Sequence, residues 1–142
     1  MHDLFRALFV IEFHGGTGCQ PGGLCQQLSL EVQGAHAVER SNIKKSDTVL
    51  VIGAGPIGLS VVQFAKLKGI KVVVMDFNKN RLNFAQSQLK ADQIICPDKD
   101  FSPEKLREIL NGDLPDAIFD ATGNKASMEN SFNFLCSGGK LI

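Results

Sequence analysis

The sequence predicts an α/β fold built on a doubly wound, mainly parallel sheet. Three observations carry this expectation. From about residue 30 onward, β-rich runs alternate with helical patterns. The β-rich runs are continuously apolar, as expected for strands covered by helices on both faces. A strand, a glycine turn and a helix follow one another without a break between Thr48 and Lys68.

Size and charge bound the possibilities. With 142 residues the chain is near the length of one ordinary domain. Its 44% apolar and 21% charged content is that of a packed protein rather than a disordered one. Fifteen basic side chains stand against fifteen acidic ones, so no basic field draws nucleic acid or an anionic membrane surface. No apolar run approaches the roughly 18 residues of a membrane-spanning helix. Ala7 to Phe13 is short and broken by Glu12. The expectation is therefore no nucleic-acid and no membrane partner. Cys19, Cys25, Cys96 and Cys136 are scattered through a chain large enough to fold without crosslinks, which points to the cytoplasm. Met1 to Gly18 lacks the positive end, unbroken apolar stretch and cleavage site of a secretory signal.

Residues 1–30 hold one Arg, no Lys and five glycines and show no sustained period, so they are expected to be an irregular leader. Residues 31–142 are expected to form the domain. Ser29 to Ser41 reads as a short helix before the polar turn Lys44-Lys45-Ser46-Asp47. Thr48 to Ile52 is the first strand. Pro56 to about Lys68 is a helix with Gly58, Val61, Val62 and Ala65 on one face, and Gly69 ends it. Lys71 to Met75 is the second strand. The next helix puts Leu82, Ala85 and Leu89 on a stripe, and Asp92 to Cys96 is a third strand. Ser102-Pro103 is an N-cap followed by proline in the first turn, opening a helix with Leu106, Ile109 and Leu110 inward. Asp116 to Phe119 is the fourth strand. A last helix carries Met128, Phe132, Leu135 and Cys136, and Gly138-Gly139 leads into a fifth strand at Lys140 to Ile142, within which the sheet is expected to be truncated.

The chemistry is concentrated in Gly53-Ala-Gly55-Pro56-Ile57-Gly58. Gly53 permits the tight turn out of the strand, Gly55 lets a pyrophosphate approach the backbone, and Gly58 allows helix and sheet to pack closely. Pro56 prepares the first helical turn, whose N–H groups and positive dipole end suit phosphate. Asp76 follows 18 residues after Gly58, at the end of the second strand. There a carboxylate accepts from both ribose hydroxyls of an adenosine and opposes a 2′-phosphate, so NAD is favoured over NADP. Alternatively, Asp76 caps the helix beginning near Asn78. Lys79 and Arg81 are close enough to attract a phosphate and soften the preference.

Gly34 to Arg40, the run DTVLVIGAGPIGLSVVQFAKLKG from Asp47, VVVMDFNKNRL from Val72, and DAIFDATGN from Asp116 followed by SGGKLI together resemble a known unit. It is the Rossmann coenzyme domain of the zinc-type medium-chain alcohol/polyol dehydrogenases, nearest in character to the sorbitol, threonine and sugar-acid branch. The resemblance covers residues 34 to 142. It implies that Gly53, Gly55, Pro56, Ile57 and Gly58 line the pyrophosphate, that Asp76 holds the adenosine ribose, that Arg81 packs near the adenine, and that Thr122 to Asn124 border the cofactor. It further implies hydride transfer between NAD and a secondary alcohol, with zinc, in full-length relatives acting on an alcohol, polyol or sugar acid. The family's zinc-ligating catalytic half has no counterpart in this chain, which is therefore expected to be inactive alone.

Other readings remain open at this stage: a non-catalytic nucleotide-binding or assembly module, and an S-adenosylmethionine-binding domain with Asp76 on that ligand's ribose. His14, Cys19 and Cys25 are zinc-ligand types, but Cys-x5-Cys lies outside the usual hairpin spacing, so no metal site is expected. His36 reads as a packed helix residue rather than a base, and Cys96 and Cys136 as small buried hydrophobes. No catalytic residue is assigned. A fifth strand left as an edge, with Leu141 and Ile142 beside it, leads to the expectation of a homo-oligomer.

Overall fold

The computed structural model describes residues 32–142. The expected leader over 1–30, with His14, Cys19 and Cys25, lies outside the described residues. Helix α1 occupies 32–40 of the described residues. The remaining elements are β1 (Thr48–Ile52), α2 (Pro56–Leu67), β2 (Lys71–Met75), α3 (Lys79–Ser87), β3 (Gln93–Ile95), α4 (Pro103–Ile109), β4 (Ala117–Asp120), α5 (Lys125–Ser131), a 3₁₀ turn (Phe132–Phe134) and β5 (Lys140–Leu141). The strands lie in the order β3-β2-β1-β4-β5, all parallel. This is the doubly wound arrangement the sequence predicts.

The continuous apolar strands are explained by the two cores they separate. Val49 and Val51 of β1 face one cluster, with Val38 of α1, Val61, Val62 and Ala65 of α2, and Leu82 and Ala85 of α3. Leu50 and Ile52 face the other, with Leu106, Leu110, Leu114 and Ile118. Burying each such side chain stabilises the fold by roughly 1.5–3 kcal/mol.

Local chemistry sets the ends of the elements. Asn78 caps α3, its side chain accepting from the amides of Asn80 and Arg81. Ser102 caps α4 ahead of Pro103, and Asn124 caps α5 through the Ala126 amide. Helix α2 begins at Gly55 with no side-chain cap. Among the described residues, the helix-to-strand turns pass through left-handed residues at Asn42, Gly69, Lys90, Asn111, Gly112 and Gly138. Gly34 of α1 packs so closely on α2 that a Cβ there would overlap the Ser60 hydroxyl. Lys140 of β5 donates to the carbonyl of Ser41 beyond α1, 2.7 Å away.

Several expectations are corrected. Ile109 is exposed rather than inward, because α4 turns Leu106 and Leu110 to the sheet. Met128 and Phe132 are exposed as well. Helix α5 ends at Ser131, and Leu135 and Cys136 reach the second core from the turn beyond it. Leu89 lies past the end of α3 and packs on the first core from there. Cys96 falls just after β3 ends at Ile95 and is exposed. Cys136 is half-buried, and burial together with nearby Asp116 pushes its thiol above the ordinary value. His36 lies on the exposed side of α1, while Gly34 and Val38 point inward.

Candidate functional site

Parallel strands place all their carboxyl ends at one edge of the sheet. Between β1 and β4 the chain's path reverses direction, which opens a crevice in folds of this kind. Three loops meet there: Gly53 to Gly55 after β1, Asp76 to Asn78 after β2, and Ala121 to Asn124 after β4.

The glycines serve distinct ends. Gly53 has φ +94°, a conformation open mainly to glycine, and its amide donates to the Met75 carbonyl at 2.8 Å. A Cβ on Gly58 would overlap the Gly53 carbonyl oxygen, so α2 starts almost in contact with the end of β1. A Cβ on Gly55 would meet nothing within 4 Å. The surface above Gly55 is therefore open, with no side chain capping α2 and with Pro56 and Ile57 exposed at its first turn.

Asp76 ties two of these loops together. Its Oδ2 accepts from the Ala54 amide and its Oδ1 from the Asn78 amide, each at 2.6 Å. The cap of α3 is Asn78, not Asp76. A carboxylate has about four acceptor positions, so the two amides leave capacity for two further donors. Phe77 is 82% exposed directly beyond it, and Arg81 and Lys79 are exposed on the first turn of α3. Sequence reasoning missed Phe77, whose signal was a large aromatic residue immediately after the acidic residue at a strand end.

Thr122 stands on the other wall. A Cβ on Gly53 would lie 3.2 Å from the Thr122 methyl group and from the Ala121 carbonyl carbon. Thr122 donates its amide and its hydroxyl to Oδ1 of Asp120, at 2.9 and 2.6 Å. The glycine turn, Asp76 and Thr122 are thus brought to one crevice, with Arg81 at its periphery on α3.

A concavity of about 370 Å³ lies at the opposite edge of the sheet, lined by Ile43, Lys45, Lys66, Leu67, Lys68, Gly69 and Ile70. It is remote from these loops, and Lys66 within it is bound to Asp92 at 2.8 Å. The crevice, with its uncapped helix and convergent polar groups, is the better candidate for a site. Among the described residues, no group of three or more His, Cys, Asp or Glu gathers as metal ligands, and no helix is long and apolar enough to cross a membrane.

Comparison with known proteins gives consistent matches. The family described as "Zinc-binding dehydrogenase" matches residues 56–142. An L-galactonate-5-dehydrogenase of Escherichia coli is 38% identical over 76% of this chain and 32% of its own length. Human sorbitol dehydrogenase is 32% identical over 96% of this chain and 38% of its own. An alcohol dehydrogenase of E. coli CFT073, solved with NADH, superposes with a TM-score of 0.73 at 27% identity, over 81% of this chain and 34% of that one. The chain spans roughly a third of the length of these curated relatives.

Proposed function

Because the chain belongs to the zinc-binding dehydrogenase family, we propose that residues 32–142 serve as its NAD-binding part, with the dinucleotide lying across the crevice between β1 and β4. The observation that carries this reading is the paired demand on the glycine turn: Gly58 is closed by the Gly53 carbonyl, while Gly55 faces open space. The pyrophosphate sits over Gly53 and Gly55, facing Pro56, Ile57 and the first turn of α2, where amides and the helix dipole favour anions. Asp76 uses its two remaining acceptor positions for the adenosine ribose. Phe77 offers the adenine a flat apolar face, with Arg81 beside it, and Thr122 borders the cofactor from β4.

The bound nicotinamide supplies hydride transfer. The chain's own residues bind and orient the dinucleotide and keep its phosphates on backbone donors. The substrate of the whole protein is an alcohol, polyol or sugar acid, a reading supported by the names of the relatives similar to this chain. Zinc belongs to the same whole-protein reading, and the described residues are assigned no metal. The cytoplasm is the proposed location, from the scattered cysteines. Homo-oligomerisation of the whole protein is also proposed.

Calorimetric titration tests the central reading. NADH is expected to bind more tightly than NADPH by on the order of 1–3 kcal/mol, as the ribose hydrogen bonds are lost and the carboxylate meets a phosphate. S-adenosylmethionine is expected not to bind. Equal affinities for the two dinucleotides remove the role given to Asp76.

A further inference from the structure

At the carboxyl end of β4, Asp120 gathers more hydrogen-bonding groups than a strand end requires. Its Oδ1 accepts from the Thr122 amide and hydroxyl. Its Oδ2 lies 2.9 Å from the Ser127 hydroxyl and 3.2 Å from that of Ser131. Ser131 is fully buried, and its hydroxyl also reaches the Ser127 carbonyl at 2.8 Å. The inward side of α5 thus carries hydroxyls where α2 carries aliphatic groups. The network continues outward: Thr122 Oγ1 accepts from the Asn124 amide at 3.2 Å, and Asn124 caps α5. With its proton given to Asp120 and one lone pair taken by the Asn124 amide, the Thr122 hydroxyl has no proton left to donate. The Thr122 methyl and the Ala121 carbonyl carbon are the groups that a Cβ on Gly53 would approach most closely, each at 3.2 Å.

We propose that Asp120 is a positioning residue of the crevice, acting through Thr122. It draws the hydroxyls of Thr122, Ser127 and Ser131 inward, so that the β4–α5 loop presents a methyl group and a set backbone to the dinucleotide. This rests on the dinucleotide reading given above.

The test uses the whole chain and three variants, with NADH affinity and thermal midpoint measured on each. Asp120→Ala is expected to weaken NADH binding roughly tenfold, the scale of one lost charge-assisted hydrogen bond. Asp120→Asn is expected to stay within about threefold of the parent, because a carboxamide oxygen still accepts from Thr122 while its NH₂ donates to the serine oxygens. Val38→Ala, in the core on the other face of the sheet, is expected to lower the midpoint and leave NADH affinity unchanged. Parent-like binding by Asp120→Ala overturns the proposal, as does equal loss in Asp120→Ala and Asp120→Asn. No NADH binding by the parent chain overturns the dinucleotide reading and this proposal with it, which distinguishes the two failures. Should Asp120→Ala not fold, amide exchange in the unliganded parent decides. Slow exchange at Thr122 and Asn124 is expected, and exchange at the rate of free loop amides overturns the preset loop.

Discussion

Gly55 and Gly58 stand three positions apart and are glycine for unrelated reasons, which two substitutions separate. Gly58→Ala drives a methyl group into the Gly53 carbonyl, and overpacking of this kind costs about 1–3 kcal/mol or more. A lowered thermal midpoint is the expected result. Gly55→Val places its side chain in open space, on a backbone with φ −77° that any residue adopts. Its circular dichroism and midpoint are expected to stay near the parent's while NADH binding is lost. Unchanged binding in that variant would rule out a pyrophosphate over Gly55. The spacing of the glycines made both roles legible in the sequence. Spacing says nothing, however, of which hydroxyls a carboxylate gathers, so Asp120, one residue past the strand expected over Asp116 to Phe119, is given no role by the sequence. Cys96 was misread because the apolar run around it ends one residue earlier than its composition suggests.

Between elements, the contact of α2 with the start of β3 shows how charge contributes. Asp92 Oδ2 accepts from Lys66 at 2.8 Å and from the Val72 amide at 2.7 Å. Burial raises the Asp92 pKa, but the Lys66 hydrogen bond, the Val72 amide and the lysine's charge together outweigh it and hold the carboxyl below the ordinary value. A carboxyl lowered on folding stabilises fully above its unfolded value of about 3.9, and that contribution fades as pH falls through the lower folded value. The pair is partly exposed, at 23% and 37%, so screening limits it to about 1 kcal/mol or less. Asp92→Asn is therefore expected to lower the midpoint slightly at neutral pH, with the difference from the parent closing below about pH 4. A constant difference down to pH 2 would mean that charge plays no part. Helix α2 was legible because its inward positions are apolar. Helix α5 was expected, but its inward face was not legible, because Ser127 and Ser131 occupy inward positions and hydrophobic periodicity assigns such residues to solvent.

Across the whole molecule, the strand order β3-β2-β1-β4-β5 is that of the Rossmann unit the sequence resembles, whereas alternation and right-handed crossovers alone fit other doubly wound orders as well. Of the three loops that converge, the residues pointed to two, the glycine turn and Asp76, and the resemblance pointed to the third at Thr122. The turns at the two sheet edges meet different demands. At the crevice edge, Gly53 and Gly123 take positive φ beside the groups assigned to the dinucleotide. At the far edge, Asn42, Lys90 and Asn111 take φ of 50°, 59° and 64° without being glycine, a conformation that costs an L-residue about 1–2 kcal/mol. Lys90→Gly should recover part of this, less the added freedom of the unfolded chain and the bond from the Lys90 ammonium to the Ser87 carbonyl, for a net gain of about 0.5 kcal/mol. A midpoint that fails to rise would show that no such strain is held there. The far edge is thus a place where this chain can be made hardier by engineering, turn by turn, with its coenzyme affinity left as it is.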